Sequence, residues 1–174
     1  MLFIGIDPGL KGAIAVNKSD CQPSGELELH VMPVAKLGTK QQIDERVLVE
    51  MFERLKLEMT YHKGHIMAYV EHVGSMPGQG VTSMFNFGMG WGLVRGILAG
   101  LGIPYELVRP QAWKKVMLAG MPKDSEYHVA SRLWPTVNWK PTARHKNFHD
   151  GWVDAALISE FGRRRYGGIN ASAT

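Results

Sequence analysis

The feature that most constrains this sequence is an apolar hairpin whose first strand ends in an acid. Residues 2–6 and 12–16 are short apolar runs, and the segment between them contains Asp7, Pro8 and Gly9. Pro and Gly are typical of turns, so the two runs are predicted to pair as antiparallel strands, with Asp7 at a strand end. Residues 27–31 alternate loosely and stop at Pro33, which predicts a third strand and a three-stranded meander.

The remaining chain alternates between helical and extended patterns. Apolar residues recur at steps of three and four over 44–61, which predicts an amphipathic helix. Further strands are predicted at 66–70 and 105–108, and further helices at 83–101, 111–117, 125–133 and 147–163, the last capped by Asn147. This order predicts an α/β fold, a mixed sheet of about five strands with helices on both faces. We expect one domain over 1–166 and a disordered tail over 167–174.

The composition indicates the class of protein and the cellular compartment to expect. Hydrophobic residues make up 45% of the 174 positions, as in ordinary globular domains. The single cysteine, Cys21, excludes an intramolecular disulfide, and the N-terminus lacks a signal-peptide pattern. We therefore expect a cytoplasmic protein. Residues 83–103 are apolar but contain Arg95 and six glycines, which favours a buried helix over a membrane span.

The charge is unevenly distributed along the chain. Residues 109–146 contain eight basic and two acidic residues, whereas residues 17–60 contain six basic and eight acidic ones. A protein that binds phosphates along one side is expected to be polarised in this way.

Four carboxylates are candidates for a shared site. Asp7 and Glu71 each follow a predicted strand and become neighbours if the first strand is central, while Asp150 and Asp154 lie four residues apart on one helix. Such a cluster repels itself unless a divalent cation occupies it, and oxygen ligands favour Mg²⁺ or Mn²⁺, with two ions suited to phosphodiester hydrolysis. The alternatives are a turn former for Asp7, an exposed strand end for Glu71 and a helix cap for Asp150. Asp154 has little structural use in the middle of a helix.

Four sequence blocks carry a family resemblance. They are Gly5-Ile6-Asp7-Pro8-Gly9, Val70-Glu71-His72-Val73, Val108-Arg109-Pro110-Gln111-Ala112-Trp113-Lys114, and His149-Asp150-Gly151-Trp152-Val153-Asp154-Ala155-Ala156-Leu157. In order and spacing they resemble the RuvC-type Holliday junction resolvases, especially phage-encoded ones, over about residues 2 to 162. The resemblance implies an RNase H-like fold, a homodimer, and Mg²⁺-dependent symmetric cleavage of four-way DNA junctions in recombination and repair. It also implies that Asp7, Glu71, Asp150 and Asp154 bind the metals and that Lys114 is an active-site lysine.

The sequence departs from the family in one block. Bacterial members place the last two acids three apart, and the earlier position here is Gly151, with Asp150 one residue before it. His149 is a second possible metal ligand at this point. The family has a second active-site lysine, whose position aligns near Asp124 in this sequence. Lys123 is the nearest candidate for it.

Other residues are candidates for binding DNA. Arg109, Lys115 and Lys123 belong to the basic stretch and either contact phosphates or form a solvated face. Phe85 and Phe87 either stack on unpaired bases or pack in the core. Glycines recur every four residues at 88, 92, 96 and 100, so one side of their helix carries no side chains and suits close packing on the sheet or on a second subunit.

Three rival functions remain at this stage. Actin-like ATPases share the strand–Asp–Gly opening, but they require a second domain that 174 residues do not supply. A nuclease for branched DNA in general, or for RNA–DNA hybrids, keeps the fold and changes the substrate. An inactive DNA-binding module is expected to have lost one of the four acids, and all four are present.

Overall fold

The computed structural model describes residues 1–18, 26–72, 74, 78, 80–142 and 147–171, with side chains to Tyr166. The strands are β1 (Leu2–Asp7), β2 (Ala13–Lys18), β3 (Glu26–Val31), β4 (Val34–Leu37), β5 (Lys40–Ile43), β6 (Ile66–Glu71) and β7 (Tyr105–Val108). The helices are α1 (Glu45–Tyr61), α2 (Val81–Gly100), α3 (Pro110–Met117), α4 (Glu126–Leu133) and α5 (Asp150–Ala171). Cys21, Arg144 and Lys146 lie outside the described residues.

Five strands form a mixed sheet in the order β3-β2-β1-β6-β7. β1 pairs antiparallel with β2 and parallel with β6, and β6 pairs parallel with β7. The predicted meander is confirmed, and β1 is central, which is the condition under which Asp7 and Glu71 become neighbours. Because β1 and β6 run in the same direction, their carboxyl ends meet at one edge of the sheet.

Alternation along β1 separates two cores, one on each face of the sheet. Leu2, Ile4 and Ile6 pack with α1 and α2 in an aliphatic cluster. Phe3 points to the other face, where it packs with residues of α3, α4 and α5. The predicted arrangement of helices on both faces is therefore confirmed.

A second, two-stranded sheet was not predicted. β4 and β5 form a hairpin with a two-residue turn at Gly38 and Thr39, and Gly38 has the positive φ of 63° that such turns favour. Its strands are only four residues long and largely exposed; β4 is mainly apolar and β5 mainly polar, so neither has the apolar alternation on which strand prediction depends.

The last helix differs from its prediction at both ends. It begins at Asp150, and its cap is His149, whose Nδ1 accepts a hydrogen bond of 3.2 Å from the backbone N–H of Trp152. Asn147 is exposed and lies before the helix, so the prediction that it caps the helix was wrong. The helical backbone continues to Ala171, beyond the predicted end at 163; residues 172–174 lie outside the described residues.

Helix α2 is less buried than the sequence indicated. Only Val94 and Leu98 are fully buried. Gly88, Gly92, Gly96 and Gly100 have open space where a Cβ would stand, so the glycine stripe does not pack on the sheet. Within the described residues, no helix is long and apolar enough to cross a membrane.

Candidate active site

The strand register brings Asp7 and Glu71 together. Ile6 pairs with Val70 in the parallel β1–β6 ladder, so Asp7 and Glu71 occupy adjacent positions one step further along. Tyr69 faces the α5 side, and the two-residue period places Glu71 on that same side. In β1 the same alternation, running through Phe3 and Gly5, directs Asp7 there too. The pairing of these two acids, predicted from the sequence, is confirmed.

Helix α5 supplies the third carboxylate because it crosses β1 at very short range. A Cβ on Gly5 would overlap the carbonyl oxygen of Ala155, so only glycine permits this approach. Asp154 precedes Ala155 and is half-buried beside the ends of β1 and β6. The glycine in the first strand thus determines where the helix places its acid.

The three carboxylates share an unfavourable electrostatic environment. Burial raises the pKa of Asp7, opposed by a hydrogen bond from the Gly9 N–H, and burial and the Asp7 charge raise the pKa of Glu71. Burial raises the pKa of Asp154 to about 7, with further contributions from the charges of Glu71, Asp7 and Glu126. The Lys114 charge opposes the rise at Asp154 and at Glu71. Acids that are buried close together and have raised pKa values are typical of functional sites.

Glu71 is held in place by two tryptophans. The buried Trp113 Nε1 donates a hydrogen bond of 2.9 Å to Glu71 Oε1, and Trp91 Nε1 donates one of 3.2 Å to the Glu71 backbone oxygen. The first bond lowers the pKa of Glu71 against the effect of burial. Trp113 therefore orients the carboxylate, a role that sequence reasoning missed because tryptophan is more often simply a core residue.

Sequence reasoning also missed Glu126. Lys114 Nζ lies 2.9 Å from Glu126 Oε1. Burial lowers the pKa of Lys114, but its bond to Glu126 and the charges of Asp154, Glu126 and Glu71 raise it overall. Lys114 is therefore at the acidic site, as the resemblance implied. The residue of the following segment that reaches the site is Glu126, whereas Lys123 is exposed.

Asp150 occupies a different position from the other three acids. It is exposed at the first residue of α5, and the acids whose charges raise the pKa of Asp154 are Glu71, Asp7 and Glu126. At Gly151, a Cβ would stand 2.9 Å from the Lys11 backbone oxygen, which is tighter than ordinary contact. A side chain at 151 would therefore crowd the backbone of the β1–β2 turn. His149 caps α5.

The candidate DNA-binding residues are distributed over several surfaces. All three basic residues are exposed: Arg109 is the N-cap of α3, Lys115 lies on α3, and Lys123 lies on the segment that follows it. Phe85 is 65% exposed on α2, whereas Phe87 is half-buried and lines a groove beside the β1–β2 turn. The two phenylalanines therefore face different surroundings.

The carboxylates are the type of ligand that a hard divalent cation prefers, but their side chains do not surround a common point. Within the described ranges, no three His, Cys, Asp or Glu side chains are close enough to hold a metal ion. The donor set of Asp7, Glu71 and Asp154 is all oxygen, as Mg²⁺ prefers, and a cation would relieve the repulsion that raises their pKa values. The residues present therefore fit such an ion.

Comparison of the sequence with family models and curated proteins finds no match. Solved structures do match. Thermus thermophilus RuvC aligns with a TM-score of 0.57 at 17% identity, covering 95% of this chain and 97% of that one. The T. thermophilus RuvC complex with a Holliday junction substrate aligns with a TM-score of 0.61 at 14% identity, covering 96% of both chains. The yeast mitochondrial Holliday junction resolvase Ydc2 aligns with a TM-score of 0.59 at 14% identity, covering 97% of this chain and 80% of that one. The chain has the RuvC fold.

Proposed function

We propose that this chain, which has the RuvC fold, is a metal-dependent endonuclease that cleaves four-way DNA junctions by symmetric phosphodiester hydrolysis. The observation that carries the proposal is the convergence of Asp7, Glu71 and Asp154 at the carboxyl edge of the sheet, buried and mutually repelling. Its fold neighbours include a RuvC bound to a Holliday junction substrate. The basic stretch supports a polyanionic substrate.

Each residue has a distinct part in this proposal. Asp7, Glu71 and Asp154 bind the metal, with Asp150 as the fourth ligand from the start of α5. These residues would hold two Mg²⁺ ions, or Mn²⁺ in their place, which would supply an activated water and stabilise the leaving oxygen. Trp113 orients Glu71, and Lys114 neutralises charge on the phosphate that enters the site.

We also propose that the protein acts as a homodimer through α2. The open stripe of Gly88, Gly92, Gly96 and Gly100 has Val81, Phe85 and Met89 beside it, exposed by 84%, 65% and 49%. Helical spacing places these residues on one face, and an exposed apolar face of this kind favours a partner. A two-fold dimer places two sites on one junction, as paired incision requires.

A size series at Gly96 tests the dimer. Gly96→Leu introduces a bulky side chain where the monomer has open space, so we expect it to fold normally and sediment as a monomer. Gly96→Ala is the matched control and should remain a dimer. A dimer that persists in Gly96→Leu would place the interface elsewhere.

Nucleic-acid binding is proposed for Arg109, Lys114, Lys115 and Lys123, with Phe85 and Phe87 as candidates for contact with unpaired bases. A cytoplasmic location is part of the same proposal. We expect neither a membrane partner nor a small-molecule cofactor beyond the metal.

Cleavage of matched labelled substrates tests the activity. The purified protein is incubated with a four-way junction, a three-way fork, a linear duplex and an RNA–DNA hybrid, each with Mg²⁺, Mn²⁺ or chelator. Paired, symmetric nicks confined to the four-way junction and abolished by chelator are expected. Equal cleavage of forks would make the protein a general debranching nuclease, and cleavage of the hybrid alone, or of nothing, would overturn the proposal.

A further inference from the structure

A short chain of contacts joins one side of α2 to the acidic site. Trp91 Nε1 donates its hydrogen bond of 3.2 Å to the backbone oxygen of Glu71, and the Trp91 ring stacks on the imidazole of His72 with ring centroids 5.5 Å apart. The guanidinium carbon of Arg95 lies 4.2 Å from the centroid of the same ring, a cation–π contact. We call Arg95, Trp91 and His72 the Trp91 stack.

Trp91 and Arg95 lie at the border between the buried side and the open side of α2. At about 3.6 residues per turn, Trp91 follows the buried Val94 around the helix axis, and Arg95 follows Trp91. Gly88, the first glycine of the open stripe, comes next. Exposure increases in the same order, since Trp91 and Arg95 are half-buried and Gly88 is exposed. A chain that packs on the glycine stripe therefore meets Arg95 at the edge of the stripe.

Arg95 has donors that the single chain does not use. It is the only charged residue in the sequence of α2. Its Nε is buried without a hydrogen-bond partner, and Arg95 forms no ion pair with any residue that the structure describes. A buried donor without an acceptor is destabilising, and a guanidinium is suited to bonding acceptors at an interface between chains. The border of the open stripe is therefore incomplete in the single chain.

Glu71 is held from both faces of the sheet. Trp113 of α3 bonds its carboxylate on one face, and Trp91 of α2 bonds its backbone oxygen from the other. The next residue, His72, continues the strand pairing with a backbone hydrogen bond of 2.8 Å to the Val108 oxygen. Because a side chain follows the direction of its own backbone, the position of Trp91 contributes to where the Glu71 carboxylate lies.

Glu71 is also the carboxylate whose position depends on α2. Asp7 and Asp154 belong to β1 and α5, which are fixed to each other by their close crossing at Gly5. Among the described residues, no three acids or other metal-binding side chains are gathered closely enough to hold an ion. A metal ion therefore has to draw the carboxylates together. An adjustment of Glu71 through Trp91 would lower the cost of that step.

We propose that the Trp91 stack links the two subunits to the metal site: a second copy of the chain packed on the glycine stripe fixes Arg95 and Trp91, and Trp91 in turn sets Glu71 for metal binding. Arg95 and Trp91 are then positioning residues. The inference rests on the proposed function, from which it takes the dimer and the metal ligands. Such a coupling is reciprocal, because a dimer that binds the metal more tightly than the single subunit must itself be tightened by the metal.

Sedimentation equilibrium over a dilution series measures this linkage without DNA or turnover. The dimer dissociation constant of the full-length protein is determined in chelator and in saturating Mn²⁺. We expect Mn²⁺ to lower the constant of the wild-type protein about tenfold. Asp154→Asn should abolish the effect, because it removes a ligand of the acidic site. A wild-type constant that is equal in chelator and in Mn²⁺ overturns the inference.

Two variants test the Trp91 stack itself. Trp91→Phe keeps an aromatic ring beside His72 and removes the N–H that bonds Glu71, whereas Arg95→Gln removes the cation above the ring. Each should lose most of the Mn²⁺ effect on dimerisation. Arg46→Gln is the matched control on α1, where Arg46 is exposed, and should keep the full effect. A full effect in both Trp91→Phe and Arg95→Gln would assign the coupling to other contacts and overturn the inference.

Mn²⁺ affinity gives the reciprocal readout. A titration followed by electron paramagnetic resonance of free Mn²⁺ compares the wild-type dimer with the monomer expected from Gly96→Leu, with Gly96→Ala as the matched control. The Gly96→Leu protein should bind Mn²⁺ about tenfold more weakly than the wild-type protein, and Gly96→Ala equally well. In a Trp91→Phe background, Gly96→Leu should have little further effect. Equal affinity of the wild-type and Gly96→Leu proteins would contradict the coupling.

The outcomes separate this inference from the proposed function. Symmetric junction cleavage by a dimer whose dissociation constant does not respond to Mn²⁺ overturns the coupling and leaves the proposed function intact. A wild-type protein that neither dimerises nor cleaves branched DNA overturns both.

Discussion

Helix α5 buries two acids, Asp154 near its start and Glu160 in its middle, in opposite surroundings. Glu160 is fully buried but accepts hydrogen bonds from Arg163 and Arg164 at 2.7–2.8 Å and from Asn17 at 3.4 Å. Asp154 lies among Asp7, Glu71 and Glu126, with Lys114 as its nearby cation. The helix thus carries one carboxylate that accepts hydrogen bonds from two arginines, and one whose pKa is raised by burial and by neighbouring acids despite Lys114. We expect such a difference between a structural acid and a functional one.

The largest expected effect is on cleavage by Asp154→Asn. The amide is nearly isosteric but is a poor ligand for a hard cation, so junction cleavage should fall by at least about 10²-fold. Junction binding should change little, because basic residues supply most of the affinity. Asp124→Asn is the matched control, since Asp124 is exposed and its positive φ of 61° suits asparagine equally well. Rapid cleavage by Asp154→Asn would remove Asp154 from the site.

Glu160→Gln tests the other half of the comparison. Removing this charge leaves Arg163 with part of its network unpaired, and we expect the free energy of unfolding to fall by about 3 kcal/mol. Denaturant titration measures the change. Glu50→Gln, which breaks an exposed i,i+4 pair with Arg46, should alter stability by less than about 0.5 kcal/mol. If Glu160→Gln loses cleavage at a temperature where it remains folded, then Glu160 also serves the reaction.

The comparison also explains which features were predictable from the sequence. The sheet and the positions of Asp7, Glu71 and Asp154 follow from local patterns, because a strand end or a helix face is defined by nearby residues. The expectation for Lys114 came from the family resemblance alone. Trp113 and Glu126 act through contacts between elements distant in sequence, and no local pattern signals them. In the sequence, Glu160 likewise cannot be distinguished from any other acid in a helix, because its contact with Asn17 exists only in the folded chain.

Two mispredictions have specific physical causes. The strands of the β4–β5 hairpin are short, exposed and without apolar alternation, so the only sequence signal of the hairpin is the Gly38-Thr39 turn. The cap of α5 was assigned to Asn147 because asparagine is a strong N-cap residue, whereas the ring nitrogen of His149 takes that role in the structure. The glycine spacing in α2 was recognisable, but only the open space around it shows that the sheet does not cover it.

The pH dependence of stability sharpens the contrast between the two acids. Folding raises the pKa of Asp154 from 3.8 to about 7, so between these values the native state holds a proton that the unfolded chain releases. In chelator, stability should therefore fall by on the order of 2 kcal/mol as pH rises from about 4 to about 7. Asp154→Asn should reduce this slope, and Mg²⁺ should restore stability to the wild-type protein above pH 7. Thermal unfolding across this range, with and without Mg²⁺, measures both effects. A wild-type stability that rises over the same interval would contradict the raised pKa of Asp154.

The smallest expected effect is that of Glu126→Gln. The pairing of Glu126 is intermediate between that of Asp154 and that of Glu160. Glu126 is paired with Lys114 as Glu160 is paired with its arginines, but the Lys114 side chain is 41% exposed and that of Glu126 is 19% exposed. Loss of a partly exposed pair should cost no more than about 1 kcal/mol of stability. Without its partner the Lys114 ammonium is less well positioned, so the single-turnover cleavage rate should fall a few-fold while junction affinity stays the same. Glu126→Asp keeps the charge and should retain more of the rate than Glu126→Gln. A rate that instead increases in Glu126→Gln would mean that Glu126 restrains Lys114 in the resting enzyme, so that the pair opposes catalysis.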